Sequence, residues 1–162
     1  MKNLKNYVLG FGLVALLGFG TVSYSRNIDE NVYFDNLPTI TTIDLPNLVS
    51  TPKDLYFDVS KMAILNLPSL TNVVGNLYCD SCVNLVTVNI PLLVFHNGQT
   101  VTFDNDALNV ASVDRILARA VVSGVTSLKL YLDGGKNAAP SSIEPGSDYA
   151  ILVAAGNTIT NN

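Results

Sequence analysis

The chain has 162 residues, of which 48% are hydrophobic, 14% charged and 8% aromatic. This composition is typical of one globular domain and excludes a disordered, collagen-like or disulfide-rich chain. Residues 26–162 carry seven basic and thirteen acidic side chains. A nucleic-acid partner is therefore not expected, because such partners are bound through basic patches that neutralise phosphates.

The N-terminal segment, residues 1–25, has the layout of a secretory signal. Lys2 and Lys5 precede the apolar residues 7–22, and small or polar side chains follow up to Ser25. Cleavage after Ser25 would release a secreted or cell-surface protein. An uncleaved N-terminal membrane anchor and a buried core helix are the alternatives, and in either case no membrane contact is expected beyond this segment.

Two series of similar segments repeat along residues 26–106. In the first, two apolar residues flank a central side chain and Asp follows; the segments are residues 32–35, 55–58, 77–80 and 101–104. In the second, each segment contains Leu-Pro or Ile-Pro, with the prolines at Pro46, Pro68 and Pro91. Both series recur about every 23 residues, and two series with one period predict a repeat architecture.

The alternation of apolar and polar positions predicts short half-buried strands that stack from one repeat to the next. Proline stops each strand of the second series, because it cannot donate to a β-ladder. One repeat is then one coil of a solenoid, and its apolar residues must stack on those of the neighbouring coils. The residues expected to point inward are Val32, Phe34, Ile43, Leu45, Leu55, Phe57, Leu65, Leu67, Leu77, Cys79, Val88, Ile90, Val101 and Phe103.

The side chains between the inward positions form the candidate binding surface. We define the tyrosine row as Tyr33, Tyr56, Tyr78, Thr102 and Tyr131, and the aspartate row as Asp35, Asp58, Asp80, Asp104 and Asp133. Both rows are expected to face outward, about 4.8 Å from strand to strand. Aligned aspartates repel each other. This repulsion would be relieved by a bound cation such as calcium, by backbone hydrogen bonds at the strand ends or by a basic partner. An exposed aromatic row suits sugars or a second subunit.

The period breaks at Asn105. Residues 107–122 have the pattern of an amphipathic helix, with Asn109 or Ser112 as its first capping residue and Gly124 at its end. A fifth strand is predicted at residues 128–133, a short helix within 147–155 and a last strand at 158–160. Residues 107–162 are therefore expected to form a C-terminal α/β capping unit, since an open solenoid end exposes core and strand edge.

The recurring Leu-Pro-x-Leu steps resemble those of leucine-rich-repeat-like proteins of the bacterial-surface type. The segments 109–117 and 134–141 are similar to a capping module that ends such repeat proteins in marine bacteria and bacteriophages. The resemblance covers about residues 31–162. It implies a mainly β fold, a leucine-rich-repeat-like β-solenoid of about four to five short coils with a C-terminal α/β cap, and a role in adhesion, surface display or a virion tail.

The two cysteines, Cys79 and Cys82, are spaced as C-x-x-C. Cys79 takes an inward position, so the alternatives are buried inert thiols, a local disulfide, or redox or metal chemistry. Zinc is not expected, because the only histidine is His96, in a predicted turn. Lys136 after two glycines does not complete a phosphate-binding loop, because Leu130 and Asn137 occupy positions that require Gly and Ser or Thr.

No nucleophile elbow and no metalloprotease motif occurs in the sequence. The expected function is therefore that of a non-enzymatic extracellular structural or adhesive protein without a cofactor. It would act through protein partners or self-association. The alternative is a receptor- or glycan-binding module of a bacteriophage tail.

Overall fold

The computed structural model describes residues 31–34, 39–58 and 61–162, which are mainly β with two helices. The strands are β1 Val32–Tyr33, β2 Thr42–Asp44, β3 Ser50–Thr51, β4 Leu55–Tyr56, β5 Ile64–Asn66, β6 Asn72–Val73, β7 Leu77–Tyr78, β8 Thr87–Asn89, β9 Thr100–Thr102, β10 Lys129–Leu132 and β11 Thr158–Asn161. The helices are α1 Val110–Ser123 and α2 Asp148–Ala154.

The described strands form three sheets in which every pairing is parallel. The first has the order β1-β4-β7-β9-β10-β11, and its register aligns Val32, Leu55, Leu77 and Val101 as the repeat predicts. The second has the order β2-β5-β8 and aligns Ile43, Leu65 and Val88. A third sheet pairs β3 with β6. The repeat pattern did not predict it, because Ser50-Thr51 and Asn72-Val73 have the repeat spacing but no residue type in common.

The inner faces of the sheets meet in one core. Every residue predicted above to point inward is buried. Phe34 and Phe57, which directly follow the neighbouring strands β1 and β4, stack with ring centroids 5.1 Å apart. The strand faces were therefore predicted correctly, because period-two alternation sends successive side chains to opposite sides of a sheet.

Helix α1 begins at Val110, slightly later than the predicted start at Ala107. Asn109 precedes it in an extended conformation and its side chain accepts the Ser112 N–H at 2.9 Å, so Asn109 is the capping residue. Gly124 ends the helix with φ of 67°, in the left-handed region that glycine adopts without strain. Ser112 Oγ accepts the Val88 N–H at 3.2 Å, which fixes α1 beside β8.

After α1 the first sheet continues through β10 and β11. Leu130 aligns with Val101, and Ile159 aligns with Leu130, so the interval along the chain between equivalent positions is longer here than in the repeats. The added length holds a helix between each pair of strands, and α2 packs against both α1 and β11. This region is therefore a run of β-α-β crossovers built on the edge of the repeat sheet.

No helix within the described ranges has the length and apolar character needed to span a membrane. The predicted signal or anchor, residues 1–25, lies outside those ranges, as do residues 26–30, 35–38 and 59–60.

Candidate functional site

The tyrosine row is a stack of rings on the outer face of the first sheet. The register of β1, β4 and β7 aligns Tyr33, Tyr56 and Tyr78. Their ring centroids are 4.6 Å and 4.8 Å apart and the planes differ by 10° and 13°. These separations equal the spacing of neighbouring strands, so the backbone alone brings the rings into face-to-face contact.

Stacking determines which parts of the rings can meet a partner. Both faces of Tyr56 are covered by its neighbours, as is one face of Tyr33 and one of Tyr78. Tyr33, at the edge of the sheet, is the most exposed of the three at 37%. Because sugars bind aromatic residues through the ring face, the stack offers a sugar the outer face of Tyr33 and, along the rest of its length, ring edges.

Thr102 is a correction to the predicted surface. It lies in the tyrosine row, opposite Tyr78 on one side and Tyr131 on the other, but it is only 8% exposed. Its short side chain lies between two larger tyrosines in the register of the sheet. Tyr131 is half-buried, so the exposed part of the row is carried by its tyrosines.

The hydroxyl groups of the row have fixed partners. The Tyr56 hydroxyl donates to Asp54 Oδ2 at 2.9 Å, and Asn31 Nδ2 donates to the Tyr33 hydroxyl at 3.0 Å. Burial raises the pKa of Tyr56, and the Asp54 carboxylate raises it further. The Tyr78 pKa is raised by the same two causes. Both phenols therefore remain protonated hydrogen-bond donors at neutral pH.

A row of amide and carboxylate side chains beside the tyrosines was missed by the sequence analysis. Asn31 Oδ1 accepts the Asp54 N–H at 3.1 Å, Asp54 Oδ1 accepts the Asn76 N–H at 2.6 Å, and Asn76 Oδ1 accepts the Thr100 N–H at 2.9 Å. Each residue comes directly before a strand of the first sheet. An Asn or Asp recurring at that position was the available signal, and its role is to fix one strand start on the next.

The aspartate row lies at the other end of the same strands. Asp58 Oδ1 accepts the Asp80 N–H at 3.2 Å, and Asp133 accepts the Thr160 hydroxyl. Burial raises the pKa of Asp104, and the neighbouring charges of Asp80 and Asp133 add to the effect. The row thus combines backbone hydrogen bonding with mutual repulsion. Asp35, its remaining predicted member, lies outside the described residues.

The two cysteines are buried and are not joined by a disulfide. Their sulfur atoms are 4.0 Å apart, about twice the length of an S–S bond. The Cys82 thiol donates to the Phe57 carbonyl at 2.9 Å. Burial raises the pKa of Cys79, and the Cys82 thiol raises it further. The raised pKa of Cys79 suppresses its reactive thiolate, and both thiols are buried, so the geometry favours inert thiols over redox chemistry.

Asp106 is a buried acid that the sequence analysis did not single out. It is 1% exposed, and its Oδ1 accepts the Cys82 N–H at 2.7 Å while Oδ2 has no hydrogen-bond partner. Burial raises its pKa to about 9, and the Cys82 thiol adds to the shift. Asp106 is therefore an uncharged carboxylic acid at neutral pH. It occupies the position in its repeat that Cys82 occupies in the preceding repeat.

Within the ranges that the structure describes, no three His, Cys, Asp or Glu side chains are arranged to hold a metal ion. His96 is exposed in its turn, and its Nε2 lies 2.6 Å from Asn72 Oδ1.

Comparison with known proteins gives no family for this chain. It matches no protein-family model, and no curated protein and no solved structure is significantly similar to it.

Proposed function

We propose that this chain is an exported, non-enzymatic repeat protein that acts as a structural or adhesive scaffold through protein–protein contacts. The observation that carries the proposal is the alignment of equivalent residues, one per repeat, in three parallel sheets. Such alignment builds straight rows of similar side chains, of which the tyrosine row lies on the outer face of the first sheet. Extended surfaces of this kind are used by repeat proteins for binding other proteins.

The proposed architecture is a β-solenoid over residues 26–106 with a capping unit over residues 107–162. Parallel pairing of described strands with their equivalents in the next repeat supports the solenoid. The position of α1, whose Ser112 accepts the Val88 N–H, supports the capping role, because α1 covers the side of β8 that would pair with a further repeat. The resemblance to bacterial-surface leucine-rich-repeat-like proteins belongs to the same proposal.

A protein partner fits the surface better than a sugar. The stacked rings of Tyr33, Tyr56 and Tyr78 present mainly edges and hydroxyl groups, which contact proteins well but deny a sugar its usual stacking face. Asp54 lies on one side of the tyrosine row, and the aspartate row lies on its other side. A partner with basic side chains would therefore be favoured.

Export is tested by expressing the full gene and measuring the mass of the protein in the medium and at the cell surface. We expect a form shorter by about 25 residues, as a signal sequence requires. A product retained in the cytoplasm with an intact N-terminus would contradict the proposed compartment.

The binding surface is tested with the fluorescently labelled protein and whole cells of the producing strain as the probe. Substituting Tyr33, Tyr56 and Tyr78 together by Ser should abolish binding while unfolding stays cooperative. The matched control substitutes the outward row of the second sheet, Thr42, Ile64 and Thr87, by Ser and should bind normally.

Pretreatment of those cells distinguishes the two kinds of partner. We expect protease treatment of the cells to remove the binding sites and periodate oxidation of surface sugars to leave them. The reverse result would select the glycan-binding alternative. Equal binding of the parent and the triple variant would mean that the tyrosine row is not the binding surface.

A further inference from the structure

The first sheet ends in two strands that each have one neighbour among the described residues. β1 pairs with β4, and β11 pairs with β10. Natural proteins usually protect such edges with charged residues or proline. Neither strand contains one: β1 is Val-Tyr and β11 is Thr-Ile-Thr-Asn. One side of each strand therefore carries backbone groups that no described residue pairs.

Hydrogen bonds along the sheet follow one rule from repeat to repeat. Inward residues donate to the strand that follows: the Val32 N–H bonds the Asp54 carbonyl at 3.0 Å, and the Phe103 N–H bonds the Tyr131 carbonyl at 2.8 Å. Outward residues donate to the strand that precedes, as the Thr158 N–H does to the Leu128 carbonyl at 2.9 Å.

This rule determines which backbone N–H groups of β1 and β11 point away from the neighbouring strand. On β11 the inward residues Ile159 and Asn161 aim their N–H groups at a following strand. On β1 the outward residue Tyr33 aims its N–H at a preceding strand. In parallel pairing the C=O of a residue points to the same side as its N–H. The N–H groups on the outer side of each strand can therefore face C=O groups on the outer side of the other.

We propose that copies of this chain stack head to tail, with β11 of one copy pairing in parallel with β1 of the next. Continuing the register places Val32 of the second copy opposite Ile159 and Tyr33 opposite Thr160. The Tyr33 N–H then donates to the Ile159 carbonyl, and the Asn161 N–H donates to the Tyr33 carbonyl. This inference deepens the proposed scaffold function and rests on it.

Side chains at the two ends fit the same contact. Within the chain Thr102 already lies between two tyrosines, so a Thr160–Tyr33 pair repeats an arrangement that this sheet accommodates. The outer ring face of Tyr33 would be covered by the stacking copy. At the β11 end, α2 exposes Ile151 and Val153 by 43% and 46%, which adds apolar area to bury.

The contact joins two different surfaces, so it is heterologous and continues from copy to copy. Sedimentation velocity of the protein as cells release it, over a range of concentrations, should show growth into long assemblies. Electron microscopy should show them as unbranched filaments. A monomer at every concentration would overturn the proposal.

Two proline variants test the register. Tyr33→Pro removes the edge donor of β1, and Ile159→Pro removes one of the two edge donors of β11. Each proline ring takes the place of an N–H that does not pair within the chain. Each variant alone should remain monomeric, because one end of every copy is blocked. Mixed, they should form particles of twice the monomer mass and no larger, since one free β11 meets one free β1.

Controls separate stacking from folding and from the scaffold function. Val83→Ser removes a side chain that is 59% exposed in a turn midway along the repeats, and it should assemble like the parent. If a proline variant unfolds early, Tyr33→Lys and Thr160→Lys replace the pair. A mixture that behaves like its separate components would overturn the stacking alone, whereas cytoplasmic retention would overturn the proposed function and leave the sedimentation result standing.

Discussion

The repeats and residues 107–162 extend one sheet by different connections. In the repeats, the chain passes through a short strand of the second sheet, and in the first two passages also one of the third, before it returns to the first sheet after about 23 residues. After β9 it returns through α1 and then through α2, and each of these passages is longer because it contains a helix. The strands remain parallel in both regions, because each connection brings the chain back to the end of the sheet at which the previous strand began.

The two regions also satisfy their polar groups differently. In the second sheet of the repeats, Asn66 donates to Asp44 at 2.8 Å and Asn89 donates to Asn66 at 2.6 Å, which links neighbouring strands through half-buried side chains. In the C-terminal region, Asn137 and Asn157 are buried and each makes three hydrogen bonds to backbone groups. Side chains of the second sheet thus share their polar contacts from strand to strand, whereas Asn137 and Asn157 each serve three backbone groups, as the buried Gln99 does at the end of the repeats.

Among the single substitutions, the greatest loss of stability is expected in the repeat core. Phe57→Asp places an unpaired charge at a fully buried position against Phe34, at a cost of about 3 to 5 kcal/mol in the free energy of unfolding. Urea unfolding measures the loss. Ile64→Asp is the control, because Ile64 is 41% exposed on the outer side of β5 and its replacement should cost far less. Equal losses would mean that the strand faces are reversed.

In the C-terminal region the corresponding test removes a buried amide. Asn137→Ala takes the partner from the Leu108 N–H and from the Phe103 and Leu132 carbonyls, so we expect a loss of about 3 kcal/mol. Asn157→Ala should behave alike. Asn161→Ala, which removes one exposed bond to Asn162, should be nearly neutral in thermal unfolding. A small loss at Asn137 would show that water replaces its hydrogen bonds.

Asp106, at the junction of the two regions, predicts a dependence of stability on pH. Its pKa of about 9 in the folded state lies above the value of about 3.9 in an unfolded chain, so the folded state keeps a proton that the unfolded state releases. The stabilisation is complete below about pH 4 and is lost as pH rises towards 9, by about 1.4 kcal/mol per pH unit. Urea unfolding between pH 5 and 8, at intervals of about one unit, measures this slope.

Asp106→Asn is the matched variant for this measurement. It keeps the shape and the acceptor for the Cys82 N–H but cannot ionise, so its stability should be nearly independent of pH over the same interval. Parallel curves for the parent and the variant would refute the assignment of the slope to Asp106.

The smallest expected effect is on the side-chain ladder of the repeats. Asn66→Ala breaks its bonds to Asp44 and Asn89, both half-buried, and should cost about 1 kcal/mol. Thr87→Ala, in the neighbouring outward row, serves as the control. A loss as large as that of Asn137→Ala would mean that Asn66 in the second sheet stabilises the fold as much as the buried Asn137 does.

Much of the fold could be predicted from the sequence, because the period places equivalent residues in equivalent surroundings. The inward side chains and the alignment of the three tyrosines follow from it, and both helices follow from the pattern after it breaks. The third sheet could not be predicted, since Ser50-Thr51 and Asn72-Val73 share the repeat spacing but no common residue pattern. Nor could the burial of Thr102, which depends on the size of its neighbours, or that of Asp106, whose sequence neighbours do not mark it as buried.

Which residues stack on which follows from the sequence, because alternation of apolar and polar positions within a period of about 23 residues leaves one consistent register for the first sheet. The chemistry of the rows depends instead on packing in the folded chain. That packing turned the tyrosine faces toward each other, placed the Asp80 N–H on Asp58 and buried Asp106 beside Cys82. Register is a property of spacing along the chain, whereas exposure and ionisation depend on which other residues the fold brings near.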